Sequence, residues 1–260
     1  MNLPTPPSLA SGAAILSDLR FQGGLILLVG LAGGLLPFLT KWNERKLHNA
    51  LALSTGIFLG AVFLHMLPAL PAAVPEDEEH GGMLLWSFVL IGVLGVYFLE
   101  SLVFRTHDHD DLHRHKAVGY ASMTGLSIHA LTTGIGLAAA SVTEVAMPVF
   151  VAIIAHKAFE AFSLMSVFML AQFPKKRMLG FILAFACFTP LGIWTGSVLF
   201  STLGETGLAV AVALAAGTFL FVCLSELLPE VFHHKEDILL KILLLLLGIG
   251  LMAGIHSLEG

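Results

Sequence analysis

Ile238-Leu-Leu-Lys-Ile-Leu-Leu-Leu-Leu-Leu-Gly-Ile-Gly-Leu-Met-Ala-Gly-Ile-His-Ser257 is a run of 20 residues with one lysine near its start and one histidine near its end. The apolar residues do not alternate with polar ones, so this is no strand with one wet face. At 1.5 Å per residue, a helix of this length crosses a hydrocarbon core of roughly 30 Å. Seven more apolar runs of similar length precede it, at about 21–40, 49–70, 83–104, 117–140, 145–171, 178–203 and 206–231. In lipid every backbone polar group must be satisfied internally, which helices achieve alone. Of the 260 residues 57% are hydrophobic and 12% charged. Soluble domains carry roughly 25% charged residues, so lipid is the solvent for most of this surface. The expected fold is an all-α integral membrane bundle of eight transmembrane helices, with residues 1–260 forming one domain.

Loop charges orient the bundle. Lys41, Arg45 and Lys46 follow the first span, and Arg105, Arg114 and Lys116 follow the third. Lys175, Lys176 and Arg177 follow the fifth, and Lys235 and Lys241 the seventh. These loops hold eleven of the thirteen basic residues. The opposite loops carry Pro75-Glu-Asp-Glu-Glu-His80, Glu144 and Glu205 and no Lys or Arg. By the positive-inside rule both termini face outside. Residues 1–14 lack a basic n-region, so no cleavable signal peptide is expected. Cys187 and Cys223 lie within apolar runs and imply no disulfide framework. No P-loop, dinucleotide loop or soluble ATPase domain is visible, so any pumping draws on a gradient or a partner. No repeat unit or coiled coil is visible, and no nucleic-acid partner is expected.

Ionisable groups inside spans are costly and usually functional. Span four reads Ser127-Ile-His129-Ala-Leu-Thr-Thr133-Gly134-Ile-Gly136, and span five His156-Lys157-Ala-Phe-Glu160. His156 and Glu160 are four residues apart and share a helix face. The two spans run in opposite directions, and His129 falls at the depth of the His156/Glu160 pair. Two imidazoles and a carboxylate form a borderline ligand set, suited to Zn²⁺, Fe²⁺, Mn²⁺ or Co²⁺ and able to release the ion. His65 lies in the outer part of span two, where an ion from outside would meet it first. Residues 76–80 form an acidic patch that concentrates cations. Ser225, Glu226, Glu230, His233 and His234 lie at the inner end of span seven, placed to receive the ion. Residues 105–116 form a cytoplasmic loop with His107, His109, His113 and His115, a composition that suits weak, labile metal binding. Glu100 is expected to snorkel and His256 to be structural.

These residues resemble those of the ZIP (Zrt/Irt-like protein) metal transporters over essentially the whole chain. The span-four His-x-x-x-x-Gly and span-five His-x-x-x-Glu patterns look like that family's two signature helices. Gly60-Ala-Val-Phe-Leu-His65-Met-Leu-Pro68, Thr189-Pro-Leu-Gly192, and Gly217-Thr-Phe-Leu220 with Glu226 and Pro229 add to the likeness. So do the eight-span topology and the His-rich loop after span three. The resemblance implies transport of a divalent transition metal, zinc foremost, as substrate, by elevator-type movement, and it allows a homodimer. The expected setting is a plasma membrane or a bacterial inner membrane.

The chain departs from the family pattern at a second metal position. There it carries Ala130, Thr133, Lys157 and Thr189, so Lys157 is expected to stand in for the second cation. A protonated lysine has no lone pair to offer a metal. Two rival functions use the same ligands: an intramembrane zinc hydrolase, and a metal sensor that does not transport. The hydrolase lacks a His-Glu-x-x-His helix and a separate acid to act as base. The absence of a soluble domain weighs against the sensor.

Overall fold

The computed structural model describes residues 18–39, 41–72, 81–103, 111–141, 146–233 and 235–259. Residues 76–80, Glu144, His107, His109 and His234 lie outside that set, as do the side chains of His113, Glu205 and His256. The described elements are all helical. Helix α1 spans Leu19–Leu35 and ends in a 3-10 turn, Leu36–Leu39; the Asp18 side chain caps it by accepting from the Arg20 N–H. Helix α2 starts at Glu44, capped by Asn43, and runs through a π-helical turn at Ala61–Met66 into Leu67–Ala72. Helices α3, α4 and α5 span Gly81–Val103, Asp111–Ala140 and Ala146–Leu170.

Helical hydrogen bonding then continues from Lys175 to Phe221, yet this stretch is two spans. Gly134 of α4 abuts Thr189 and Gly192, while Gly136, two residues on, abuts Val212. A straight helix would set residues 192 and 212 about 30 Å apart. The chain therefore doubles back between Leu199 and Ala209, and the spans are α6, Lys175–Leu199, and α7, Ala209–Phe232. Helix α8 spans Ile238–Glu259. Arg45, at the start of α2, pairs through two guanidinium nitrogens with Asp237, just before α8, and ties the inner ends of those helices.

Seven of these helices are long and apolar enough to cross a membrane. The eighth, α4, has the length, at 30 residues. Its apolar character is diluted by Ser122, Ser127 and His129, all of which are buried. It packs against α5, α6 and α7, so its polar groups face protein, the arrangement that lipid demands. Large apolar side chains instead stand exposed on α3 (Trp86, Leu90, Phe98) and α8 (Leu239, Leu243, Leu247), where lipid covers them. Helix α4 begins six residues before the expected 117, so His115 is no loop residue. It is 6% exposed and packs at the inner end of the bundle.

The structure also reveals a repeat that the sequence analysis does not find. Residues 56–68, Gly-Ile-Phe-Leu-Gly-Ala-Val-Phe-Leu-His-Met-Leu-Pro, align with 217–229, Gly-Thr-Phe-Leu-Phe-Val-Cys-Leu-Ser-Glu-Leu-Leu-Pro. Five positions are identical, and His65 falls opposite Glu226. Both segments hold a π-helical turn just before the proline, at Ala61–Met66 and Val222–Leu227. Proline has no N–H and crowds the carbonyl four residues back, so the helix widens there by one residue. Gly56 packs on Leu245 and lies against Gly248 of α8, and Gly217 packs on Val89 and Gly92 of α3. The same spacing recurs in the inner pairs: Gly192 of α6 meets the Leu131 carbonyl, and Gly33 of α1 meets that of Ala158. Leu131 and Ala158 each lie two residues after a candidate ligand, His129 and His156. Since α2 and α7 run in opposite directions, the repeat is inverted, a common plan in transporters with a site at the repeat interface.

Candidate metal centre

His129 lies 11 residues before the outer end of α4 and His156 10 residues after the outer start of α5. At 1.5 Å per residue both sit about 15 Å below those ends, near mid-membrane. The close approach of α4 to α6 at Gly134 and of α5 to α1 at Gly33 holds these helices in place. Among the described residues, His129, His156 and Glu160 are the one group of three or more His, Cys, Asp or Glu side chains that converge tightly enough to hold a metal ion. Nε2 of His129 stands 3.2 Å, and Nε2 of His156 3.4 Å, from Oε1 of Glu160. Donors arranged tetrahedrally around zinc, with bonds of 2.0–2.1 Å, lie roughly 3.3 Å apart. All three side chains are buried.

The hydrogen-bonding partners fix the histidine tautomer. Nδ1 of His129 is 3.2 Å from the Ala215 carbonyl oxygen on α7. A carbonyl only accepts, so Nδ1 carries the proton and Nε2 presents its lone pair to the site. Metal-ligating histidines ordinarily donate their other N–H in this way. The His129 ring lies flat on Phe219, with centroids 4.0 Å apart and planes at 19°, and Phe219 also touches His156 and Phe58. Phe58 and Phe219 are equivalent positions of the inverted repeat. Phe219→Leu keeps the bulk but removes the stacked face, so His129 gains freedom that metal binding must then take away. Zinc affinity, measured by calorimetry, is expected to fall by about tenfold.

Lys157, expected from the sequence to stand in for a second cation, pairs with the carboxylate of the cluster. Its Nζ donates to Oε2 of Glu160 at 2.8 Å and stands 4.2 Å from the Phe185 ring centroid. Its stem packs beside Gly30. The carboxylate is thus divided: one oxygen is held by the ammonium, and the other faces both imidazoles.

A cavity of about 230 Å³ reaches the site. Its walls include His65 and Met66 from the outer part of α2, Ala140 and Val149 at the outer ends of α4 and α5, and Thr133. Toward the inner side, Leu126, Ala161, Leu164 and Leu227 are fully buried. His65 therefore borders the approach rather than the ligand cluster. Glu226 lies on the π-helical turn of α7, buried, one to two turns inward of Phe219. It too stands apart from the cluster. Phe219 and the Ala215 carbonyl carry no ionisable group and so fall outside the ligand set expected from the sequence, although the span-seven Gly-Thr-Phe-Leu motif contains Phe219.

Comparison with known proteins agrees with this architecture. The family described as ZIP Zinc transporter matches residues 21–110 and 105–256. Zinc transporter ZIP1 of Danio rerio is 25% identical over 88% of this chain and 94% of its own length. Zinc transporter ZIP9-B of Xenopus laevis is 30% identical over 82% of this chain and 86% of its own. Over a shorter stretch, half of this chain, zinc transporter ZIP1 of Homo sapiens is 31% identical. The family is one of transporters, which sets the hydrolase reading aside. With its eight-helix bundle, its inverted repeat and matches along nearly its whole length, this chain belongs to the ZIP zinc transporter family.

Proposed function

We propose that the chain carries Zn²⁺ from outside into the cytoplasm, one ion at a time, on His129, His156 and Glu160. The observation that carries this reading is the spacing of three buried donors near mid-membrane, at 3.2 and 3.4 Å, at the foot of a cavity lined by outer-half residues. The ion takes the Glu160 oxygen that faces the histidines, while Lys157 neutralises the other and keeps a second cation out. His65 meets the ion on its way in, and Glu226 on its way out. His107, His109 and His113 give the cytoplasmic side a weak metal buffer. Other divalent transition metals share this ligand chemistry, so Fe²⁺, Mn²⁺, Co²⁺ and Cd²⁺ are competing substrates.

The test is zinc uptake into sealed proteoliposomes, followed with a trapped fluorescent indicator. The wild type is expected to fill the vesicles. His156→Ala, which removes one of three ligands, is expected to lower the initial rate at least tenfold, on the scale of losses at metal sites. Binding without uptake in the wild type would identify a sensor instead.

A further inference from the structure

A groove on the outer half of the bundle has a chemistry that metal transport does not use. It lies between α1 and α6, encloses about 640 Å³ and shares no lining residue with the central cavity. Arg20, Gly24 and Leu27 of α1 line one wall, and Trp194 and Ser197 of α6 the other. Asp18 and Ser141 border its outer mouth. Gly23 sets the two helices close, since a Cβ there would stand 3.4 Å from the Ile193 side chain. One residue further round, at Gly24, nothing lies within 4 Å. The gap therefore opens on the lipid side, where Trp194 is 65% exposed. Leu27 lies seven residues below Arg20, so the groove descends about 10 Å from the outer end of α1 into the acyl region.

Arg20 breaks the charge pattern of the chain. Eleven of the thirteen basic residues lie in inner loops, and Lys157 is held in the central cluster. Arg20 alone stands at an outer end. Its side chain is exposed, and among the described residues it forms no ion pair. A guanidinium presents forked donors that match the oxygens of a phosphate. At headgroup depth, above an apolar groove and across from an interfacial tryptophan, that phosphate belongs to a phospholipid.

The other polar groups select the headgroup. Ser141 and Ser197 donate their hydroxyl hydrogens to the carbonyls of Ala138 and Ile193, so their oxygens can otherwise only accept. Asp18 takes the Arg20 N–H on Oδ1 and keeps Oδ2 as a charged acceptor. One cationic donor beside three acceptors suits a headgroup that is itself zwitterionic, a phosphate followed by a primary ammonium. A choline headgroup has no N–H for these acceptors, and a glycerol headgroup brings no cation to Asp18. We propose that the groove binds a phosphatidylethanolamine of the outer leaflet. Its phosphate rests on Arg20, its ammonium is turned to Asp18 and the serine oxygens, and an acyl chain lies beside Gly24 and Leu27. The lipid thereby bridges α1 and α6 on their outer half.

Native mass spectrometry of the full chain in detergent tests this, with phosphatidylethanolamine, phosphatidylcholine and phosphatidylglycerol of the same acyl chains offered in turn. The wild type is expected to hold one phosphatidylethanolamine about fivefold or more tightly than either of the others. Arg20→Gln should lower that affinity roughly tenfold, on the scale of a lost charged hydrogen bond, and Arg20→Lys should keep part of it. Asp18→Asn still caps the helix, so it should erase the preference over phosphatidylcholine and leave phosphate binding in place. Gly24→Leu puts a side chain into open space, so it should melt with the wild type in lipid-free detergent and exclude all three lipids. Equal affinity for the three lipids overturns the headgroup assignment. Undiminished binding by Arg20→Gln or by Gly24→Leu overturns the site, as does a wild-type chain that retains no lipid.

Discussion

Glu160→Ala is expected to unfold the protein more readily as well as to abolish metal binding, and the two effects are separable. The carboxylate serves both histidines and Lys157. Without it, an ammonium that is 1% exposed loses its ion-pair partner. Breaking a buried pair from one side costs about 3–5 kcal/mol, because the remaining charge stays out of water. Replacing both partners by apolar groups is often neutral or better. Lys157→Met/Glu160→Ala should therefore recover most of the thermal stability in detergent and still bind no zinc. Melting curves and calorimetry on the wild type, the single variant and the double variant decide the point. If the double variant melts as early as the single one, the destabilisation has another source than the stranded lysine.

Gly134→Val is expected to be nearly as damaging, although it changes no ligand. A Cβ there would collide with the Thr189 carbonyl oxygen and press on the backbone of Gly192 and Ile193. Backbone cannot rotate aside as a side chain can, so α4 and α6 must separate. Overpacking costs about 1–3 kcal/mol in ordinary cores, occasionally more, and this contact belongs at the upper end. The displacement also moves His129, five residues away on the same helix, from its 3.2 Å spacing to Glu160. Uptake should fall with the folded yield, and the protein that remains should bind zinc more weakly. Gly24→Ala is the control, since nothing lies within 4 Å of its added methyl group. Equal effects from the two substitutions would mean that close helix approach is not what Gly134 provides.

The sequence shows some of this directly and conceals the rest for physical reasons. Eight apolar runs are legible because lipid imposes a length and a composition on each span. The central cluster is legible because intramembrane histidines and acids are few, and His156 and Glu160 share a face. The meeting of His48 and His115 on Glu230 at the inner end is not legible, because the three come from distant stretches of the chain and share no helix face. His115 is hidden further by its setting, since the polar start of α4 reads as part of a His-rich loop. The relation of residues 56–68 to 217–229 escapes notice because five identities in thirteen are sparse. The likeness lies instead in where glycine permits contact and where proline widens the helix.

That inverted relation bears on the energy of movement. Two halves with the same backbone plan can exchange roles, and the exchanged molecule has the same inventory of glycine contacts and widened turns. To first order the two shapes are isoenergetic, so little work is needed to pass between them. The imbalance then resides where paired positions differ: Lys157 against Ala130, His65 against Glu226, Thr189 against Gly30. Those few side chains, rather than the scaffold, would set how long the molecule rests in each shape, and substituting them would retune the resting preference while leaving the bundle intact.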